Sequence, residues 1–183
     1  VALSNEERAK VMAADAVWHH GPNLFCPACG FNLRSPEFLP PTYDTRPLSA
    51  ITSFVQHHFG SSLPVAMTTN DALDQLDNAY RWHTGITAGG HDWPSIGYSF
   101  AIDGEGWIYY CNGLELVTFH ARAANLSGVG VVWLGTFDGT GPPPKMIAGS
   151  RRLLDGLQKH LGRKLSLLAH YEAPTNETEC CGK

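Results

Sequence analysis

Hydrophobic positions along the chain form two kinds of pattern, short apolar runs and longer segments with a helical period. The apolar runs, which predict β-strands, cover residues 51–57, 98–102, 107–110, 128–134 and 165–170. The run at 128–134 lacks polar alternation, which is typical of a strand that is buried on both faces. The sequence Asp103-Gly-Glu-Gly106 separates the second run from the third and predicts a hairpin turn.

Three segments have apolar residues at helical spacing, over residues 5–18, 68–82 and about 143–161. The second begins at Thr68, whose hydroxyl suits an N-cap, with Asp71 in the first turn. Because helices and strands alternate, we expect an α/β fold with a mixed central β-sheet flanked by helices. Prolines between residues 36 and 47 indicate an irregular connector. We therefore expect the main domain at residues 46–183, preceded by an irregular N-terminal extension at residues 1–45.

The composition excludes several classes of protein. Hydrophobic residues make up 43% and charged residues 16% of the 183 residues, so we expect one packed domain rather than a disordered chain. A net charge of −4 provides no positive field for phosphate groups, so nucleic acid is not an expected partner. No apolar run reaches the ~18 residues of an integral membrane segment, and the N-terminus lacks the pattern of a secretion signal. Because the chain starts without Met, removal of an earlier segment stays open.

The five cysteines argue against a disulfide framework. Their number is odd, and Cys180 and Cys181 are adjacent, a spacing at which two thiols rarely bond to each other. A reducing compartment or metal ligation fits these cysteines better.

The Cys-x-x-Cys pair formed by Cys26 and Cys29 provides half of a structural zinc site. His19, His20 or Cys111 would complete a second metal site that holds the N-terminal extension in place. The alternative is a reduced or disulfide-bonded pair without metal. No strand-then-helix pattern surrounds the pair, which argues against a thioredoxin-like redox role.

Another set of histidine and cysteine residues has the composition of a catalytic zinc site. His57 and His58 end one predicted strand, His170 ends another, and Cys180 follows on a loop long enough to fold back. Three protein ligands that leave a fourth position open are typical of catalytic zinc, whereas structural zinc usually has four. The alternative is coincidence, because the chain contains nine histidines.

Several short motifs occur in an order that is found in one enzyme family. They are Phe54-Val-Gln-His57-His58, Ile96-Gly-Tyr98-Ser-Phe100, Ile102-Asp-Gly-Glu-Gly106, Phe119-His120-Ala, Asn125-Leu-Ser-Gly-Val-Gly-Val, Leu134-Gly135, Ala169-His170 and Cys180-Cys-Gly182. In this order they resemble the zinc-dependent N-acetylmuramoyl-L-alanine amidases, a family that includes amidase-type phage lysozymes and peptidoglycan recognition proteins. The resemblance covers about residues 50–183 and implies a fold like that of these amidases and recognition proteins.

The resemblance implies that His57, His170 and Cys180 bind one catalytic Zn²⁺. His58 is the alternative to His57. Cys181 is the alternative to Cys180, because the family ends in Cys-Pro-Gly and Cys181 occupies the position expected for proline. Zinc lowers the pKa of a bound water toward ~7 and polarises a carbonyl, so such a site would hydrolyse amides at neutral pH.

The resemblance also assigns two catalytic residues. Tyr98 matches the family's active-site tyrosine, and its unperturbed pKa near ~10 makes it a hydrogen-bond donor to water or to the tetrahedral oxygen rather than a base. The alternative is a tyrosine that is merely packed at the start of a strand. Thr178 stands where family members have a lysine or threonine near the metal, and its alternative role is to cap the loop.

Three further residues are expected to contact the substrate. His120 and Asn125 match family positions that line the cleft, and Trp93 could stack on a sugar or a peptide. The alternatives are a structural hydrogen-bonding role for His120 and burial in the core for Trp93. The remaining histidines considered, which are expected at the surface or as caps, are His83, His91 and His160.

The expected function is hydrolysis of the amide bond between N-acetylmuramic acid and L-alanine in peptidoglycan. A compact catalytic domain without a signal sequence favours a monomeric phage endolysin, held in the host cytoplasm and released to the cell wall, or secreted if a signal has been removed. The alternatives are a bacterial wall-remodelling or recycling amidase and a recognition module that binds peptidoglycan without cutting it. Cys180 argues against the last, because family members that only bind typically lack the cysteine ligand.

Overall fold

The computed structural model describes residues 31–32, 43–60, 62–178 and 180 of the chain. Its strands are β1 (Phe31–Asn32), β2 (Ser53–His58), β3 (Phe100–Ile102), β4 (Ile108–Tyr110), β5 (Gly128–Trp133) and β6 (Ser166–Ala169). Its α-helices are α1 (Thr69–His83) and α2 (Pro144–Leu161), and short 3-10 turns cover Leu48–Ala50, Arg122–Ala124 and His170–Glu172. The helix predicted at residues 5–18, together with Cys26, Cys29 and Cys181, lies outside the described residues.

The strands form one six-stranded sheet with the order β1-β4-β3-β5-β2-β6. β5 runs parallel to both β3 and β2, and β6 extends this parallel run to one edge. β3 and β4 form the antiparallel hairpin that the glycine-rich turn predicts, and β1 pairs with β4 in parallel. Every residue of β5 is buried except the half-buried Trp133, which confirms a strand covered on both faces. The expected mixed α/β architecture is confirmed.

The sequence provides capping groups at the start of α1 and at the end of α2. The Thr68 hydroxyl accepts a hydrogen bond from the N–H of Asp71, and the Asp71 carboxylate accepts one from the N–H of Thr68. This reciprocal pair satisfies two N–H groups that the start of α1 would leave unpaired. α2 has Pro144 in its first turn and ends at Gly162, whose left-handed φ of 65° suits glycine. None of the described helices is long and apolar enough to span a lipid bilayer.

The helices pack against opposite faces of the sheet. Val131 and Val132 are adjacent in β5 but belong to different apolar clusters, because successive strand residues point to opposite faces. Val131 shares its cluster with Leu153 of α2, whereas Val132 shares its cluster with Leu76 of α1. His57 pairs with Val132 across β2 and β5 and therefore points to the α1 face.

Residues 43–46 contact the rest of the domain through buried polar groups. The Tyr43 hydroxyl donates a hydrogen bond to the carbonyl of Ser95 at 2.9 Å. The buried Arg46 guanidinium donates to the carbonyl groups of Asn125 and Gly128 at 2.7 and 2.8 Å, and burial lowers its pKa to about 10. Tyr43, in the expected extension, is thus bonded to the segment before β3, and Arg46, the first residue of the expected main domain, is bonded to the loop that precedes β5.

Candidate metal centre

Two neighbouring strands bring His57 and His170 together. β2 and β6 are parallel, with Gln56 opposite Ala169. The residue that follows each of these positions is a histidine: His57 within β2, and His170 directly after the end of β6. The centroids of the two imidazole rings lie 4.2 Å apart, and the ring planes are tilted by 49°. The parallel register thus makes neighbours of two residues that are far apart in the sequence.

Cys180 completes a group of three. Its sulfur and one ring nitrogen from each of His57 and His170 all lie within 4.8 Å of one another. Both backbone polar groups of His58 contact this sulfur: the N–H donates to it at 3.3 Å, and the carbonyl oxygen lies 3.5 Å from it. Because His57 is buried while His170 and Cys180 are half-buried, the group faces solvent on one side.

The residue types of this group can hold a metal ion. Thiolate and imidazole ligands suit zinc, whereas magnesium and calcium sites consist of oxygen ligands. A metal ion needs several histidine, cysteine or acidic side chains whose ligand atoms lie close together. Among the described residues, the group found to meet this condition with three side chains is His57, His170 and Cys180. Three ligands leave a fourth tetrahedral position for water or substrate, as in catalytic sites.

The surroundings of His57 favour metal binding. Burial lowers the pKa of His57, and its hydrogen bond with Cys180 acts in the opposite direction. The ring is therefore neutral at neutral pH, which is the state that ligates a cation. The His57 ring also contacts the ring of Tyr98, at a centroid distance of 5.3 Å. The predicted catalytic tyrosine thus lies beside the candidate ligands.

His58 lies on the other side of β2 from this group. Its Nδ1 accepts a hydrogen bond from the N–H of Phe137 at 3.0 Å, and its Nε2 lies 3.3 Å from the Asp138 carboxylate. Both ring nitrogens have partners away from the group, so the backbone of His58 contacts Cys180 but the side chain does not. The structure places His57, and not His58, among the candidate ligands.

Comparison with known protein families agrees with this arrangement. The family of N-acetylmuramoyl-L-alanine amidases matches residues 47–183, which is most of the chain. The chain belongs to this amidase family. The matched residues include His57, His170, Cys180 and Tyr98, so the whole candidate metal centre lies inside the amidase domain.

Curated relatives of this amidase domain include recognition proteins and an amidase. Peptidoglycan-recognition protein LB of Drosophila melanogaster is 32% identical over 129 residues, which make up 69% of this chain and 52% of the relative. N-acetylmuramoyl-L-alanine amidase of Mus musculus is 29% identical over 86 residues, which make up 47% of this chain and 16% of the relative. The chain thus spans about half the length of the first relative and a smaller part of the second.

Solved structures share the amidase fold. Wild-type PGRP-LB of Drosophila superposes with a TM-score of 0.63 and 25% identity, covering 85% of each chain. The N-acetylmuramoyl-L-alanine amidase LysC from Clostridium intestinale superposes with a TM-score of 0.59 and 22% identity, covering 79% of this chain and 87% of that chain. These matches confirm the expected fold, which amidases and peptidoglycan recognition proteins have in common.

Thr178 lies beside Cys180, the candidate cysteine ligand. Its hydroxyl oxygen accepts a hydrogen bond from the N–H of Cys180 at 3.1 Å, and its side chain is half-buried. This bond is the loop-capping role that the sequence offers as an alternative, and it shapes the turn that presents the sulfur. A catalytic contact by Thr178 stays a prediction.

His120 and Asn125 belong to a turn that packs against His57. The Nδ1 of His120 lies 3.1 Å from the Nε2 of His57, and the Nε2 of His120 lies 3.3 Å from the carbonyl oxygen of Gly128. The Asn125 Oδ1 accepts hydrogen bonds from the N–H groups of His120 and Ala121 at 2.9 and 2.7 Å. Both side chains thus make hydrogen bonds within the protein. Their contact with substrate stays a prediction.

A row of aromatic rings leads away from Tyr98. We call it the aromatic wall, and it consists of His83, Trp93, His91 and Trp82. The His83 ring lies 5.5 Å from the Tyr98 ring and stacks on Trp93 at 4.7 Å, and Trp93 stacks on His91 at 4.3 Å. Trp93 is half-buried, and Trp82 is 43% exposed at the outer end. Trp93 is therefore on the surface that adjoins the candidate metal centre rather than in the core.

The expectation of a surface position for His83 is wrong. His83 is buried, its Nδ1 accepts a hydrogen bond from the N–H of Gly97 at 3.1 Å, and burial lowers its pKa to about 4. The signal was present in the sequence, because His83 follows the apolar Leu76 and Tyr80 at the seven- and three-residue spacings of one helix face.

Asn176 is a second residue that the sequence did not indicate. Its Oδ1 lies 3.2 Å from the Nε2 of the candidate ligand His170. The contact depends on how the loop after β6 folds back, so no pattern of hydrophobic and polar positions could reveal it.

Proposed function

We propose that this chain is a zinc-dependent N-acetylmuramoyl-L-alanine amidase that hydrolyses the amide bond between N-acetylmuramic acid and L-alanine in peptidoglycan. The observation that carries this proposal is the convergence of His57, His170 and Cys180 within 4.8 Å. The amidase family match over residues 47–183 supports the reaction class.

The three side chains fit zinc in charge and in number. Two neutral imidazoles and one thiolate leave Zn²⁺ with one net positive charge and an open coordination position. When bound, zinc supplies Lewis-acid chemistry, in which it polarises the amide carbonyl and lowers the pKa of water toward ~7. His57 and His170 would hold the ion from the edge of the sheet, and Cys180 would hold it from the loop. Because burial lowers the pKa of His57, protons compete weakly for this ligand near neutral pH.

Tyr98 is the residue that we assign to transition-state stabilisation. Its half-buried ring contacts His57, which places it beside the candidate metal group. A phenol hydroxyl donates a hydrogen bond to the oxygen that gains negative charge on the attacked carbonyl, or orients the attacking water. The Thr178 hydroxyl oxygen accepts the hydrogen bond from the N–H of Cys180, so its own hydrogen is left to donate to another group.

The aromatic wall supports peptidoglycan as the partner. Trp82, which is 43% exposed at the outer end of the wall, offers a ring on which a sugar or a peptide can stack. The half-buried Trp93 offers only the part of its ring that His83 and His91 leave uncovered. A relative with 32% identity is named a peptidoglycan-recognition protein. In addition, the solved structure of peptidoglycan recognition protein LE, which shares the fold at a TM-score of 0.66, is a complex with tracheal cytotoxin, a monomeric diaminopimelic acid-type peptidoglycan.

In its biological setting we propose a monomeric endolysin-like enzyme that acts on the cell wall after release from the host cytoplasm. A wall-remodelling or recycling amidase has the same chemistry and differs only in where it acts. Several relatives are named recognition proteins, which makes binding without cleavage the competing function. The presence of Cys180 next to two histidines favours hydrolysis over binding alone.

The products of peptidoglycan digestion test this proposal. Zinc-loaded protein should create new N-terminal alanine and no new reducing sugar. New reducing ends would indicate a glycosidase, and muropeptides that stay intact would indicate a recognition module. The Cys180→Ala protein, purified in the same way, controls for a contaminating hydrolase.

A further inference from the structure

Each of the two candidate histidine ligands has a hydrogen-bond partner at its Nε2 atom. For His57 the partner is Nδ1 of His120 at 3.1 Å, and for His170 it is Oδ1 of Asn176 at 3.2 Å. In metal sites, the ring nitrogen that does not bind the ion usually donates its N–H to a fixed acceptor, and this bond sets the tautomer of the ligand.

The direction of the bond between His57 and His120 follows from the Gly128 carbonyl. A carbonyl oxygen only accepts, so the Nε2 of His120, 3.3 Å away, carries the hydrogen. The Nδ1 of His120 then has a lone pair and accepts from the Nε2–H of His57. This leaves Nδ1 of His57 as the ring nitrogen with a lone pair for a metal ion.

The orientation of the Asn176 amide follows in the same way. Its Nδ2 lies 3.1 Å from the carbonyl oxygen of Ala121 and also reaches the carbonyls of Ala173 and Pro174. Because the amide nitrogen must face these carbonyl groups, Oδ1 faces His170 and accepts from its Nε2–H. His170 is thereby left with Nδ1 for the metal ion as well.

Both sets of contacts meet at the turn formed by residues 120–125, which we call the orienting turn. The His120 ring holds His57, the Ala121 carbonyl holds Asn176, and the Asn125 side chain binds the backbone N–H groups of His120 and Ala121. We infer that the orienting turn positions both metal-binding imidazoles and selects Nδ1 of each as the ligand atom. His120, Asn125 and Asn176 are then positioning residues, and this inference rests on the proposed zinc site.

Two glycines in β5 make room for the His120 ring. A Cβ atom at Gly130 would lie 2.6 Å from Cγ of His120, and one at Gly128 would lie 3.1 Å from its Cε1. Glycine weakens the interior of a strand and often marks a close approach of another group. Its presence at both positions of a central strand shows that the chain accommodates this ring against the backbone.

Backbone strain occurs in the same two loops. Among the described residues, the non-glycine residues with positive φ are Arg122, at 45°, and Thr175, at 64°. Arg122 lies in the orienting turn, and Thr175 precedes Asn176. Strained conformations of this kind persist where the surrounding structure requires them, typically at functional sites.

Two matched amide variants of His120 separate positioning from packing. His120→Asn keeps an acceptor near the place of Nδ1, whereas His120→Gln puts its amide near the place of Nε2 and removes the acceptor for His57. The zinc affinity, measured by competition with a chelator, should stay close to wild type in His120→Asn. It should fall about 10- to 100-fold in His120→Gln, as for the loss of other partners of metal ligands.

Asn176→Ala should weaken zinc binding by a comparable factor, and His160→Asn, at an exposed helix position, is the control. Wild-type affinity in His120→Gln, or equal losses in both amide variants, would overturn the inference.

The tautomers of the wild-type protein provide a test that needs no variant to fold. Nitrogen-15-labelled histidine allows the proton on each ring to be located by long-range nitrogen–proton correlation, with and without zinc. We expect His57, His120 and His170 to carry the proton on Nε2, and zinc to shift Nδ1 of His57 and His170. If wild-type protein does not bind zinc, the proposed function fails. If it binds zinc while either ligand carries its proton on Nδ1, the inference about the orienting turn alone fails.

Discussion

The N–H of His58 donates a hydrogen bond to the Cys180 sulfur over 3.3 Å. The end of β2 therefore contributes to the metal group twice, through the side chain of His57 and through the backbone of the next residue. The sulfur comes from a loop, and this hydrogen bond anchors it to a strand that is buried along its whole length. The geometry thus links the position of the thiolate to the strand that carries the first imidazole.

Replacement of Cys180 with Ala should remove zinc binding and hydrolysis while the fold persists. The side chain is half-buried and lies outside the apolar clusters, so its loss leaves the core intact. Loss of a residue that only supports a metal ligand lowers metal affinity or activity by up to about 100-fold. Because Cys180 is proposed as a ligand itself, we expect its loss to lower activity by more than this. Wall lysis and circular dichroism are the measurements. Cys111→Ala is the matched control, because that thiol is buried in the α1 cluster and should affect stability only. Lysis at the wild-type rate by Cys180→Ala would refute the ligand assignment.

Removal of one hydroxyl in Tyr98→Phe should lower kcat by about 100- to 1,000-fold, the usual effect of losing one donor to a developing oxyanion. Zinc affinity should not change, because the phenol is not a ligand. Tyr109→Phe is the control, since its hydroxyl donates to Asp103 at 2.9 Å in the hairpin and its loss should affect stability instead. An unchanged kcat in Tyr98→Phe would assign the ring a packing role.

The acid stability of the protein should depend on His83. Burial lowers its pKa from 6.5 to about 4, so between these pH values the unfolded chain binds a proton that the folded protein does not. Stability contributed by the neutral ring is therefore present above pH 6.5 and is lost as the pH falls toward 4. At ~1.4 kcal/mol for each pKa unit, the change in the free energy of unfolding reaches roughly 3 kcal/mol.

His83→Asn isolates this contribution, because the amide oxygen can still accept from the N–H of Gly97. Denaturant unfolding at a series of pH values should give a shallower loss of stability in the variant than in the wild type. The other buried histidines, His57, His58 and His120, are present in both proteins, so the difference between the two profiles reports His83 together with its electrostatic interaction with His57. Parallel pH profiles would show that His83 is not neutral in the folded state at pH 5.

Zinc should stabilise the folded protein as well as activate it. Zinc at about 100 times its Kd adds about 2.7 kcal/mol to the free energy of unfolding when it binds only the folded state. Thermal unfolding should therefore shift down on chelation and return when zinc is added, in parallel with wall lysis. Cys180→Ala protein should show no such shift. Activity that survives complete removal of zinc would contradict a metal-dependent reaction.

The sequence predicted most of the secondary structure because local patterns determine it. The apolar run at 128–134 became β5, and Thr68 caps α1 as its hydroxyl and the following Asp71 predict. These features depend on periodicity and on capping groups within a few residues. For the same reason, the glycine-rich turn was enough to predict the hairpin of β3 and β4.

The candidate site was only partly predictable. The sequence placed a histidine pair at the end of β2. Because adjacent residues of a strand point to opposite faces, only one of the two can face the metal site. The pattern alone did not show which one, and the resemblance to the amidases favoured His57 over His58. In the structure the choice follows from which face meets His170 and Cys180. The role of Asn176 depends on a loop that crosses to the Ala121 carbonyl, a contact between positions 55 residues apart that no local pattern encodes.

X-ray diffraction at the zinc absorption edge, from crystals of protein purified with zinc, tests the metal centre most directly. We predict one anomalous peak among Nδ1 of His57, Nδ1 of His170 and the sulfur of Cys180, with a water in the remaining position. A second peak at Cys26 and Cys29 would favour a structural ion over the alternative of a cysteine pair without metal. Absence of a peak between His57, His170 and Cys180 in the presence of excess zinc would contradict the proposed amidase.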